Sequence, residues 1–168
     1  TTHEKHRQYV IFSNDFIGNS IEVFGVYEKE YLEYFSNNLN SYVKDKSVFV
    51  DVGANIGNHS LYFSDYFKKI ISIEASPRNF GLLKINCSTK NFTLYNCAAS
   101  SSSIDLKLQH FSHNMGGSKI VKNDCADTNS ITVKGRPLDN ILQNLDKVDL
   151  MKIDVEGHEP EVLEGSNN

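Results

Sequence analysis

The sequence predicts an α/β fold built on a doubly wound, mostly parallel sheet. From Ser47 onward, short apolar runs alternate with stretches of helical periodicity, the rhythm of strand-helix-strand units. The run Val48-Phe-Val-Asp-Val52 is mostly apolar and breaks at Gly53, as expected of a strand covered on both faces. Polar residues gather where such strands run out, at Glu74 and from Lys152 to Glu156, and open α/β sheets keep their ligand sites there.

At 168 residues the chain fits one domain with a substantial core. Residues 1–46 are expected to form an extension made of a β-hairpin and a helix, and residues 47–168 the sheet domain. In the extension, Tyr9-Val-Ile-Phe12 and Ile21-Glu-Val-Phe24 read as strands, with Gly18, Asn19 and Ser20 between them as turn formers. Glu28 to Leu39 follows as a helix, because Tyr31, Leu32, Phe35 and Leu39 fall on one side of it. Beyond the first buried strand, Asn58 to Phe67 reads as a helix and Ile70-Ile-Ser-Ile73 as the second strand. Ser76 and Pro77 open another helix, the serine as N-cap and the proline at the first helical position. Phe92-Thr-Leu-Tyr95 is the third strand, and the run Ser100 to Ser103 reads as a turn. Ile104 to Leu108 and Ile131 to Val133 are β-like and are expected to form an antiparallel excursion. Pro137 to Leu145 reads as a helix, Val148 to Ile153 as the fourth main strand, and Pro160 to Leu163 as the start of a last helix.

Composition narrows the function classes. A net charge of -4 and a pI near 5.8 argue against a nucleic-acid partner, since Lys119, Lys122 and Lys134 are spread out rather than clustered. The cysteines are Cys87, Cys97 and Cys125, an odd set without a CxxC pair, which excludes a disulfide framework and a structural zinc site as leading readings. The natural compartment is the reducing cytoplasm. No apolar stretch approaches the ~20 residues that span a membrane, and no signal peptide is visible.

Four segments carry chemistry. In Asp51-Val-Gly-Ala-Asn-Ile-Gly57, Gly53 ends the strand, while Gly57 lets the next helix approach and leaves room for a ligand. Asn55 replaces the middle glycine of the dinucleotide fingerprint, and no GK[ST] follows to make a phosphate loop, so the bland alternative is a turn that needs glycine for its shape alone. Glu74 ends the second strand, where a carboxylate can accept both hydroxyls of a ribose; a surface glutamate is the alternative. In Met151-Lys-Ile-Asp-Val-Glu-Gly157, Lys152, Asp154 and Glu156 alternate with apolar residues. They either line the crevice or form an internal salt bridge from Lys152 to Asp154 or Glu156. The loop His110 to Ser118, with Gly116 and Gly117, reads equally as a lid or as a surface loop, and His110 and His113 lack the further ligands a metal needs.

With those motifs in view, the chain resembles the FkbM family of S-adenosylmethionine-dependent methyltransferases. The matching pieces are Val50-Asp-Val-Gly-Ala-Asn-Ile-Gly57, Ile73-Glu-Ala-Ser-Pro77, Asn96-Cys-Ala98, Asn114-Met-Gly-Gly-Ser118, Pro137-Leu-Asp139 and Lys152-Ile-Asp-Val-Glu-Gly-His-Glu159. Val162, Leu163 and Gly165 continue the last piece, which is the most specific; the first two alone indicate only a class I methyltransferase. The resemblance implies a Rossmann-like class I fold with S-adenosylmethionine as cofactor and methyl transfer to a hydroxyl of a sugar or another small molecule. The implied cofactor-binding set is Asp51, Gly53, Ala54, Asn55 and Gly57 around the methionine part, Glu74 with Ala75 and Ser76 at the ribose, and Ala98 near the adenine. Asp154 and Glu156 would face the reacting methyl as catalytic residues; Asp154 is either the base or the anchor of the donor's amino group, and the two carboxylates by themselves are only a weak signal for a divalent ion. His158 falls at a variable place in the motif. The family's fold has seven strands, so the resemblance implies a sheet truncated after the fourth main strand, with an incomplete acceptor pocket. The rival readings are a non-catalytic module that binds a nucleoside or a protein partner, and a nicotinamide dehydrogenase, which Asn55 disfavours.

Overall fold

The structure, a computed structural model, describes residues 7–110, 117–121 and 129–167. Four strands, β1 (Val48–Val52), β2 (Lys69–Ile73), β3 (Phe92–Tyr95) and β8 (Leu150–Ile153), form a sheet of order β3-β2-β1-β8 in which every pairing is parallel. Helices α3 (Asn58–Phe63) and α4 (Pro77–Asn86) are the crossovers from β1 to β2 and from β2 to β3. The chain then returns to the far side of β1 as β8. The strand order therefore reverses at β1, and the ends of β1 and β8 open onto the crevice where such folds bind ligands. The α/β class and the parallel sheet follow the sequence reading.

Alternation along β1 divides the core. Val48, Val50 and Val52 pack with Ile71 and Ile73 of β2, Leu138 of α5 (Leu138–Leu142) and Val162 of α6 (Glu159–Glu164). Phe49 points the other way, onto Phe63, Phe67 and the residues Leu32 and Leu39 of α2 (Lys29–Tyr42). Each of these large side chains contributes roughly 1.5–3 kcal/mol by leaving water, which is why β1 tolerates one polar residue, Asp51, only with partners.

A second sheet has the strands β4 (Ala98–Ser100), β5 (Asp105–Gln109), β6 (Lys119–Val121) and β7 (Ser130–Pro137). Its order is β4-β7-β5-β6, with β5 antiparallel to both β6 and β7, as the expected excursion requires. The short strand β4 pairs parallel with β7 and takes Ser100 out of the expected serine turn, which begins at Ser101.

The expected hairpin of the extension is corrected. Phe16–Phe24 is a helix, α1, capped by Asp15, which accepts from the Gly18 N–H, and closed by Gly25 at φ 77. Gly18 is not a turn residue: a Cβ there would stand 2.6 Å from the Phe12 carbonyl oxygen, so the glycine lets α1 lie against the preceding segment. Among the described residues that segment pairs with no strand; Asn86 of α4 instead accepts from the Val10 N–H at 2.7 Å and donates to the Val10 carbonyl at 3.0 Å. Among the described residues no helix is long and apolar enough to cross a membrane.

Candidate functional site

A cavity of about 280 Å³ opens at the C-terminal ends of β1, β2 and β8. Its floor is the turn after β1, with Gly53, Ala54 and Asn55. Glu74 and Ala75 form one side, and Lys152, Asp154 and Glu156 another. Ala98 of β4 contributes to the wall. These nine sequence-nominated residues, from four separate motifs, therefore meet at one cavity.

The glycines of the floor do different work. Gly53 adopts φ +77, and a Cβ on it would lie 1.8 Å from the Asp154 carbonyl oxygen, so only glycine lets the ends of β1 and β8 close together. The Gly53 and Ala54 N–H groups both donate to the Ile73 carbonyl, at 2.9 and 3.0 Å, and lock the turn to the end of β2. Gly57, at φ +95, turns away from the cavity: its Cβ would meet Cys87 Sγ at 2.8 Å and Leu83 Cδ1 at 2.9 Å. Gly57 is not among the residues that line the cavity, and the space its missing side chain leaves is taken by Cys87 and by Leu83 of α4.

Glu74 is 7% exposed, and both of its oxygens are anchored. Oε2 accepts from the Asn55 N–H at 2.8 Å and Oε1 from the Ser76 N–H at 2.7 Å. The carboxyl thus bridges the turn after β1 to the turn after β2, while its own backbone carbonyl accepts from the Asn96 side chain at 2.8 Å. Burial pushes its pKa up to about 7, against the lowering effect of the two N–H bonds and of Lys152. Ser76 lies behind the wall as the N-cap of α4.

Asp51 also lies behind the wall. It shares the Phe49 face of β1, is fully buried, and accepts from Ser60 Oγ of α3 at 2.6 Å. Lys152 Nζ stands 3.3 Å from Asp51 Oδ1 and donates to the Gly53 carbonyl at 2.9 Å. Burial works against the charge on Lys152, but Asp51 and Asp154 outweigh it and raise its pKa. The internal salt bridge weighed from sequence therefore runs mainly to Asp51; Asp154 is farther, at 3.7 Å, and its side chain is 64% exposed at the rim. Glu156 holds a left-handed conformation at φ 55, and burial together with Asp154 and Glu159 raises its pKa. Glu159 stiffens this turn by accepting from the Val155 N–H at 2.9 Å.

Several lining residues lie where no motif pointed. Phe16 and Ile17 of α1 and Tyr27 of the link to α2 form a wall from outside the motifs. His59 of α3 lines the cavity with Nε2 3.2 Å from Glu28 Oε2, and burial lowers its pKa. His158, left without a role in the sequence reading, is buried, lines the cavity and pairs through Nε2 with Ser100 Oγ at 3.1 Å, tying the turn after β8 to β4. The periodicity of the extension carries no signal that Phe16 or Tyr27 should face a ligand. Ser118 touches the cavity and lies 3.1 Å from His110 Nδ1, while residues 111–116 of the expected lid lie outside the described residues. Among the described residues no group of three or more His, Cys, Asp or Glu side chains is placed to hold a metal ion.

Comparison with known proteins agrees with the motifs. A family model, the methyltransferase FkbM domain, matches residues 51–168. A methyltransferase from Sordaria araneosa, sdnD, is 31% identical over 152 residues, covering 69% of this chain and 59% of the relative. A hexuronic acid methyltransferase from Haloferax volcanii, AglP, is 30% identical over 131 residues, covering 74% of this chain and 52% of the relative. The chain thus spans between about half and three-fifths of the length of these relatives. Among solved structures, a SAM-bound amino pentose methyltransferase from Micromonospora echinaspora matches with a TM-score of 0.40 and 16% identity, over 54% of this chain and 37% of that one.

Proposed function

Because this chain belongs to the FkbM methyltransferase domain family, we propose that its crevice binds S-adenosylmethionine and serves O-methylation of a small molecule, a sugar hydroxyl foremost. The observation that carries this reading is Glu74. Its carboxyl is held in place from behind by the Asn55 and Ser76 N–H groups, beside a glycine turn at the ends of parallel strands. Each oxygen keeps a further lone pair for a ligand, which fits a ribose diol. The residues present therefore fit the donor.

When bound, the donor supplies a methyl group on a positively charged sulfur, a strong electrophile that needs no covalent help from the protein. The chain's own work is to orient and to move one proton. Glu74 holds the ribose end, with Ala98 on the wall toward the base. The turn Gly53 to Asn55 supports the middle of the donor. Asp154 either anchors the donor's ammonium or takes the acceptor's proton, and Glu156 is the second candidate for the proton. The acceptor class rests on the Haloferax volcanii relative named for hexuronic acid. Cys87 and Cys97 are buried free thiols, which supports a reducing compartment, the cytoplasm.

The test uses the full-length protein and S-adenosylmethionine labelled in its methyl group, with a panel of hexoses and hexuronates as acceptors. Label appearing on one class of hydroxyl supports the reading. Donor binding without transfer to any acceptor would favour the rival, a nucleoside-binding module.

A further inference from the structure

The cavity wall that comes from before residue 51 is apolar and aromatic, whereas the rim beside it is acidic. The Tyr27 and Phe16 rings meet edge to face, with centroids 6.0 Å apart and planes at 80°. Asn58, the first residue of α3, fixes the Tyr27 backbone on both sides: Oδ1 accepts from the Tyr27 N–H at 3.0 Å and Nδ2 donates to the Tyr27 carbonyl at 3.0 Å. Asn58 is itself buried and directly follows the glycine turn. The backbone that carries the ring is therefore fixed by the residue that follows the turn forming the cavity floor.

Three carboxylates gather around this ring. Asp154 and Glu156 line the same cavity, Glu28 adjoins Tyr27 in the chain, and the three add to burial in raising the pKa of the Tyr27 hydroxyl. The nearby cation, Lys152, is engaged by Asp51 and by the Gly53 carbonyl. An aromatic face bordered by carboxylates favours a cation, because the ring quadrupole presents negative charge on its face and the carboxylates add to the local potential. A charged sulfur has no N–H or O–H to donate, so a ring face and nearby negative charge, and not a directed N–H or O–H hydrogen bond, are what recognise it.

We propose that Tyr27, positioned by Asn58 and backed by Phe16, is the face that receives the positively charged sulfur of the methyl donor. This rests on the donor reading above. The contact distinguishes donor from product, since the sulfur of S-adenosylhomocysteine is neutral. A residue outside the family's matched region thereby sets a preference for the loaded cofactor.

The test is calorimetry of the full-length protein with S-adenosylmethionine and S-adenosylhomocysteine. Tyr27→Leu is expected to weaken S-adenosylmethionine roughly three- to tenfold while leaving S-adenosylhomocysteine within about twofold, and Tyr27→Phe to preserve both. Phenylalanine carrying one, two or three fluorines at position 27 drains the ring face with almost no change of shape, so it tests the idea even if Tyr27→Leu does not fold. It should weaken S-adenosylmethionine stepwise and leave S-adenosylhomocysteine flat. Parallel losses for the two ligands, no loss across the fluorine series, or a Tyr27→Phe variant as impaired as Tyr27→Leu would each overturn the proposal. A wild-type protein that binds neither ligand would instead sink the donor reading itself.

Discussion

Lys152 Nζ lies 3.3 Å from Asp51 Oδ1 and bonds the Gly53 carbonyl at 2.9 Å, so the last parallel strand holds the turn that ends the first. Asp51 is fully buried, and its other oxygen accepts from Ser60 Oγ at 2.6 Å. Replacing the lysine strands a buried carboxylate, a loss that costs about 3–5 kcal/mol. Lys152→Met should lower stability by that order in urea unfolding. Adding Asp51→Asn should recover part of the loss. A single variant as stable as the wild type would show that this pair does not hold the turn.

Asp154 should behave differently. Its side chain is 64% exposed and 3.7 Å from Lys152, so as a screened, exposed pair it contributes little to stability. Asp154→Asn should melt close to the wild type, with donor affinity or turnover falling. Lost turnover with normal donor binding identifies the base, and loss of both identifies the anchor. A large drop in melting temperature with normal turnover would contradict both roles.

Gly57→Val should damage the fold instead of blocking the donor. The new side chain would press on Cys87 and Leu83 from a left-handed backbone at φ +95. Overpacking costs about 1–3 kcal/mol and the left-handed conformation roughly 1–2 more. Thermal melting should show the loss, while the folded fraction keeps its affinity for S-adenosylhomocysteine. Full stability with abolished binding would restore a ligand-facing role to Gly57.

The parallel sheet was legible because Val48 to Val52 and Ile70 to Ile73 are apolar runs that only a buried strand accommodates. The meeting of Gly53, Glu74 and Asp154 was legible for the same reason: strand ends of a parallel sheet share one edge. The α1 helix was misread because Gly18, Asn19 and Ser20 are turn formers by composition, whereas the decisive signals were the cap Asp15 and the close approach of Gly18 to Phe12. The Asn58 clamp on Tyr27 joins residues far apart in sequence through one amide, and no periodicity encodes it. Asp51, Gly57 and Ser76 carry motif positions but act behind the wall, through Lys152, α4 and the cap of α4.

Donor binding should depend on pH through Glu74. Burial raises its pKa from the ordinary 4.5 to about 7, so over that interval the folded protein retains a proton that the unfolded chain releases. Glu74 therefore lowers stability progressively as pH rises from 4.5 toward 7. The ionised form is the better acceptor for ribose hydroxyls, so affinity should climb through pH 7 to a plateau. Adenosine is the suitable probe, because it lacks the titrating amino group of the full donor. Glu74→Gln should flatten the profile; a wild-type affinity constant across this range would remove Glu74 from the ribose site.

The most direct measurement is calorimetric titration of the full-length protein with S-adenosylhomocysteine, on the wild type and on Glu74→Ala, with circular dichroism to confirm that both are folded. Glu74 would contribute charge-assisted hydrogen bonds of about 1.5–3 kcal/mol each. The account predicts saturable one-site binding by the wild type and at least roughly tenfold weaker binding by the folded variant. A wild type that gives no binding heat at any tested temperature, or a variant with unchanged affinity, would contradict it.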